Sequence, residues 1–140
     1  MAWLVPALHL AATWFMCGVI WFVQVVHYPL FGSVTAEAFA AYERRNTRLT
    51  TLVVGPVMVV EALSALALTV GPLARGGAAP VVGLALLAGI WLSTFLLQVP
   101  AHAVLERGFD ARAHRRLVRT NWIRTAAWTA RGVVALLVTG

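Results

Sequence analysis

Four apolar runs alternate with short polar stretches along this chain, covering residues 3–30, 51–70, 81–104 and 122–138. Each approaches or exceeds the roughly 20 residues that a helix needs to cross the hydrocarbon of a bilayer. The polar stretches also carry helical spacing. Phe39 and Tyr42 in residues 35–48, with the adjoining Leu49, set an apolar stripe beside arginines, which predicts a helix lying at the interface or prolonging the second span. In residues 110–120, Asp110 is placed to cap the start of the fourth helix. Gly71-Pro72 through Pro80 reads as the turn between the second and third spans. Pro29, Pro56 and Pro100 each remove a backbone donor and free a carbonyl inside or beside a span. The predicted fold is all-α: an integral membrane four-helix bundle, one transmembrane domain over residues 1–140.

Composition agrees. Of the 140 residues, 61% are hydrophobic and 11% charged, with a mean hydropathy of +0.83; a soluble domain carries about 25% charge. The N-terminus shows neither a basic leader nor a small-residue cleavage pattern, so the first run reads as a retained helix. The single Cys17 lies mid-span, has no partner for an internal disulfide, and reads as a small packing residue.

Charge placement is more informative than charge amount. All eleven basic residues are arginine and the formal net charge is +6. Arg44, Arg45 and Arg48 lie in the first loop, and Arg107, Arg112, Arg115, Arg116 and Arg119 in the third; the second loop has Arg75 alone. Such clusters meet anionic headgroups and set topology, so no nucleic-acid partner is expected. They place loops one and three in the cytoplasm and both termini outside, in a bacterial cytoplasmic (inner) membrane.

Six polar side chains interrupt the spans: Gln24, His27, Glu61, Gln98, His102 and Arg131. Such groups face a bundle interior or a watery cavity and mark functional sites. Helical spacing gathers them into stripes: Gln24, His27, Tyr28 and Phe31; Glu61 and Ser64; Trp91, Thr94, Gln98 and His102; His114, Asn121, Arg124, Thr125, Trp128 and Arg131. Gln24, Glu61, Gln98 and Trp128 lie about 10–16 Å in from the cytoplasmic boundary, at about 1.5 Å per residue. One polar pocket in the cytoplasmic half, built from all four spans, is expected. Arg124 and Arg131 are expected to pair with Glu61, and His9, near the outer boundary, stands apart from the pocket.

The candidate catalytic residues are Glu61, His27 and His102. Two histidines and a carboxylate also form a candidate metal set for iron or copper, and either histidine is a candidate haem ligand. Glu61 reads equally as a proton carrier or a plain arginine partner. Gln24, Gln98, Asn121, Arg124, Trp128 and Arg131 are candidate substrate contacts, with Trp128 and Trp91 placed to wall a flat ligand. Gln24 and Gln98 read equally as glue between helices.

The two halves echo each other. Gln24 and His27 before Pro29 resemble Gln98 and His102 around Pro100, and Arg44-Arg45-x-x-Arg48 recurs as Arg115-Arg116-x-x-Arg119. Two duplicated helical hairpins would give this pattern. The run Asn121-Trp122-x-Arg124-Thr125-x-x-Trp128-Thr129-x-Arg131, with four short spans, resembles the small bacterial membrane proteins related to anthrone oxygenase. That resemblance implies a four-helix bundle and cofactor-poor oxidation of a flat, apolar aromatic.

The leading expectation is a membrane oxidoreductase acting on a lipid-soluble, partly polar small molecule that enters from the bilayer. A proton-coupled carrier or channel is the alternative, a homo-oligomer packed through Gly83, Ala85, Ala88 and Gly89. An accessory subunit of a membrane complex is the third reading.

Overall fold

In the computed structural model, which describes residues 3–71 and 73–140, the chain is helical almost throughout. Helix α1 (Leu4–Phe22) runs into a π-helical turn (Val23–His27) and a short 3-10 segment (Pro29–Ser33). Helix α2 spans Ala36–Thr69. Helix α3 (Ala78–Ser93) continues through a second π-helical turn (Thr94–Gln98) into α4 (Val99–Leu105), and α5 spans Ala111–Thr139. Three stretches are long and apolar enough to cross a membrane: Leu4–Ser33, Ala36–Thr69 and Ala78–Leu105.

The helix ends follow local chemistry. Asp110 caps α5, its Oδ1 accepting from the Ala113 N–H at 2.7 Å, as the sequence predicts. Residues 36–48 prolong the second span as one unbroken helix, of which Phe39 is buried while Tyr42 and Leu49 are exposed. Gly77, at φ 95°, opens α3 in a conformation that favours glycine. Pro72, expected in the turn between α2 and α3, lies outside the described residues.

Both π-helical turns precede a proline. A proline ring clashes with the carbonyl four residues before it. Widening the preceding turn relieves this: the Tyr28 N–H reaches back to the Val23 carbonyl at 3.0 Å, and the Val99 N–H reaches Thr94. Such insertions often mark functional positions. The two turns also share one register. Val23 to Thr94, Pro29 to Pro100 and Arg44 to Arg115 are equal separations along the chain. The helix packing obeys the same exchange, since α1 packs on α2 and α5, and α3 packs on α5 and α2. In this register His27 corresponds to Gln98, so the expected equivalence of Gln24 with Gln98 does not hold.

Small residues allow the close approaches. A Cβ added to Gly132 would meet the Trp14 ring at 3.2 Å, fixing α5 against α1; one added to Gly83 would meet Val134 at 3.2 Å, fixing α3 against α5. Gly83 therefore faces inward and is not available to a second copy, while Ala85, Ala88 and Gly89 point outward.

Candidate functional site

Most of the buried polar side chains form two clusters, with Gln24, Asn121 and Thr125 bonded to one another apart from both, not the single pocket expected from their spacing. One lies toward the end of the molecule that carries the N-terminus. The other lies toward the arginine-rich end and opens into a cleft.

Glu61 organises the first cluster and is 0% exposed. Its Oε1 accepts from Thr13 Oγ1 at 3.0 Å and from Arg131 Nε at 3.0 Å, and its Oε2 accepts from Trp128 Nε1 at 3.1 Å. Arg131 also donates through Nη1 to the Gly83 carbonyl. One carboxylate thus ties α1 and α5 to α2, while Arg131 extends the tie to α3. His9 belongs here as well: its Nδ1 lies 3.1 Å from Ser64 Oγ, which donates to the Glu61 carbonyl. Because the Ser64 proton is committed, His9 Nδ1 is the donor. The expectation that His9 stands apart fails because depth along one helix does not show where the cluster on the next helix lies.

The second cluster is a chain of hydrogen bonds between α2, α4 and the π-helical turn that follows α1, with Tyr28 at its end. His27 Nε2 lies 2.8 Å from Asn46 Oδ1, and Asn46 Nδ2 donates to Glu43 Oε2 at 3.1 Å. Glu43 Oε1 is bonded to His102 Nδ1, and His102 Nε2 lies 2.9 Å from the Tyr28 hydroxyl. The carboxylate only accepts, which orients the Asn46 amide and makes His27 Nε2 a donor. Likewise the Glu43 carboxylate accepts the hydrogen bond that His102 Nδ1–H donates, which leaves Nε2 as the acceptor from Tyr28. The result is a carboxylate–imidazole–phenol series.

This series borders a cleft of about 600 Å³. His27, Tyr28, Asn46, Gln98, His102 and Arg124 are among its polar lining residues. Its rim includes the exposed Leu52 and Val99, so it opens sideways between α2 and α4. Arg124 forms the deep end, only 8% exposed, with its guanidinium 5.2 Å from the centre of the Trp128 ring. Among the described residues, no carboxylate pairs with Arg124, and its Nε and the Gln98 Oε1 have no hydrogen-bond partner. Cation–π support offsets part of the cost of burying the charge; a ligand oxygen would offset more.

Of the expected site residues, the structure brings His27, His102, Gln98 and Arg124 to the cleft. It sends Glu61 and Arg131 to the other cluster. Only Arg131, not Arg124, pairs with Glu61. Trp128 is fully buried behind Arg124, bridging the clusters, and Trp91 lies outside the lining, so neither walls a ligand in the cleft. Gln24 and Asn121 bond each other, Asn121 Nδ2 donating to Gln24 Oε1 at 3.0 Å, while Gln24 Nε2 donates to the Val118 carbonyl at 3.2 Å. They act as interhelical ties. The expected set of His27, His102 and Glu61 is not assembled: Glu61 lies in the other cluster with both oxygens committed, and His102 has both nitrogens bonded. Among the described residues no three of His, Cys, Asp and Glu gather in a metal-binding arrangement.

Glu43 and Asn46 are the site residues that sequence reasoning missed. They fall in the polar stretch that reads as the first loop. The available signal was the spacing of Glu43, Asn46, Thr47 and Thr50, one inward helical stripe. Thr47 and Arg44 also clamp α2 to α4, the Thr47 hydroxyl donating to Glu106 Oε1 at 2.7 Å and Arg44 Nη1 to the Glu106 carbonyl at 3.0 Å. Compared with protein families, curated proteins and solved structures, the chain matches none.

Proposed function

We propose that this protein is a membrane-embedded oxidoreductase that takes a lipid-soluble, partly polar molecule from the bilayer into the cleft and withdraws a proton from it as the first step of oxidation. In this reading α5 is a fourth span, despite its two buried arginines, and completes a four-helix bundle of two duplicated hairpins. The arginine-rich loops face the cytoplasm of a bacterial cell and both termini face outside.

The observation that carries the reading is the Glu43–His102–Tyr28 series ending in the cleft. A buried carboxylate that holds an imidazole in one tautomer makes the opposite ring nitrogen a general base. The substrate proton passes to the Tyr28 oxygen as the Tyr28 proton passes to His102 Nε2. Glu43 then stabilises the imidazolium. Arg124 receives the negative charge left on the substrate, a fixed cation in a site largely shielded from water. The electron-rich anion then gives up electrons to an acceptor such as dioxygen, in keeping with the cofactor-poor oxidation implied by the resemblance to anthrone oxygenase relatives. The carrier alternative needs Glu61 to take up and release protons, whereas three donors hold that carboxylate.

The test is oxygen uptake by purified protein in detergent, with a panel of lipid-soluble hydroxylated aromatics and ketones. Binding is followed separately by quenching of tryptophan fluorescence. The expected result is turnover that His102→Gln abolishes without weakening binding. Turnover by His102→Gln at the wild-type rate, or no binding across the panel, would overturn the proposal.

A further inference from the structure

Away from the cleft, α5 begins with an arrangement that is unfavourable by itself. Arg112, Arg115, Arg116 and Arg119 lie within its first three turns. Their spacing puts them on one face, and all four are exposed. A helix N-terminus already carries partial positive charge, and the first turn of α5 contains no acidic residue. Asp110, the nearby carboxylate, is turned to the Ala113 N–H. Among the described residues none of the four arginines has an ion-pair partner. Positive groups therefore crowd one another with no internal anion to relieve them.

The four guanidinium groups, together with Thr120 and Ile123, line a surface hollow of about 400 Å³. Its upper edge is apolar: Ile123 and the neighbouring Trp122 are each about half exposed. From Arg112 to Arg119 is about 10 Å along the helix axis. One phosphate does not bridge that length, whereas two phosphates of one headgroup do, with acyl chains running up past Ile123.

We infer that this face of α5 is a binding site for an anionic phospholipid carrying two phosphates. The forked donors of arginine match phosphate oxygens in pairs, and the site joins a headgroup-binding hollow to an apolar wall. It does not depend on the chemistry of the cleft.

The full chain is reconstituted in phosphatidylcholine nanodiscs doped, at equal phosphate, with either phosphatidylglycerol (one phosphate) or cardiolipin (two). Lipid retained after transfer to detergent is counted by native mass spectrometry. Cardiolipin is expected to be retained at least about tenfold better than phosphatidylglycerol. Arg115→Gln with Arg119→Gln removes that preference; the charge-matched pair Arg45→Gln with Arg107→Gln keeps it. Circular dichroism confirms that each variant is folded, and Arg119→Lys, which keeps charge but loses the fork, gives a partial loss in case the double variant does not fold. Equal retention of the two lipids by the wild type, or equal effects of the two double variants, would overturn the inference.

Discussion

Glu43 and His102, fifty-nine residues apart in sequence, are joined by a hydrogen bond between a fully buried carboxylate and a ring nitrogen. The contact fixes α2 against α4 behind the cleft wall, which His102 lines and Glu43 does not reach. It also decides which ring nitrogen of His102 is free to act, because an ionised carboxylate accepts and never donates.

That assignment is directly observable. With ¹⁵N-labelled histidine, the His102 signals are expected to show a protonated Nδ1 and an Nε2 that accepts a hydrogen bond at neutral pH. In Glu43→Leu, which removes the anchor, Nδ1 loses this preference and the two tautomers mix. An unchanged spectrum in Glu43→Leu would show that another group orients the ring.

The Glu61–Arg131 pair is held by geometry that tolerates no single deletion. Arg131→Met leaves a carboxylate with no counter-charge in the interior, which is expected to cost about 3–5 kcal/mol. The double variant Glu61→Leu with Arg131→Met removes both charges and is expected to lose less than Arg131→Met alone. Unfolding of the three proteins in the same detergent checks the order.

Arg124 predicts the opposite balance. Its guanidinium is buried with no carboxylate partner among the described residues. Arg124→Met is therefore expected to leave the melting temperature unchanged or higher while weakening binding of an oxygen-bearing ligand by about tenfold or more. A variant that melts lower and still binds at the wild-type affinity would show a structural role instead.

The contact of Gly132 with Trp14 is tight enough to read out by mutation. A methyl group at this position meets the indole ring at 3.2 Å. Gly132→Ala is expected to destabilise the chain by about 1–3 kcal/mol, and combining it with Trp14→Leu recovers part of that loss. Gly89, with open space around its added Cβ, serves as the control: Gly89→Ala costs nothing measurable in the same unfolding assay.

Sequence alone determined the helices. Three of the four expected hydrophobic runs are long and apolar enough to cross a membrane, Asp110 caps α5, and of the two readings of residues 35–48 the helix prolongs the second span. Inward-facing polar positions were equally legible, because burying Gln24, Glu61, Gln98 and Arg131 in hydrocarbon is too costly unless they turn toward protein. Of the two partners the sequence offered Glu61, Arg131 holds and Arg124 does not; the other partners it left open. Spacing gives the angle of a side chain about its own helix and a rough depth, but not which neighbouring helix stands opposite. Glu61 also accepts from Thr13 and Trp128, and His102 went to a glutamate in the polar stretch between the first two spans. The π-helical turn before Pro29 also departs from uniform α-helical spacing, and within it His27 lines the cleft while Gln24 does not. Tertiary packing alone decided these pairings, because a hydrogen bond is settled within a few tenths of an ångström, a scale that periodicity along one helix does not reach.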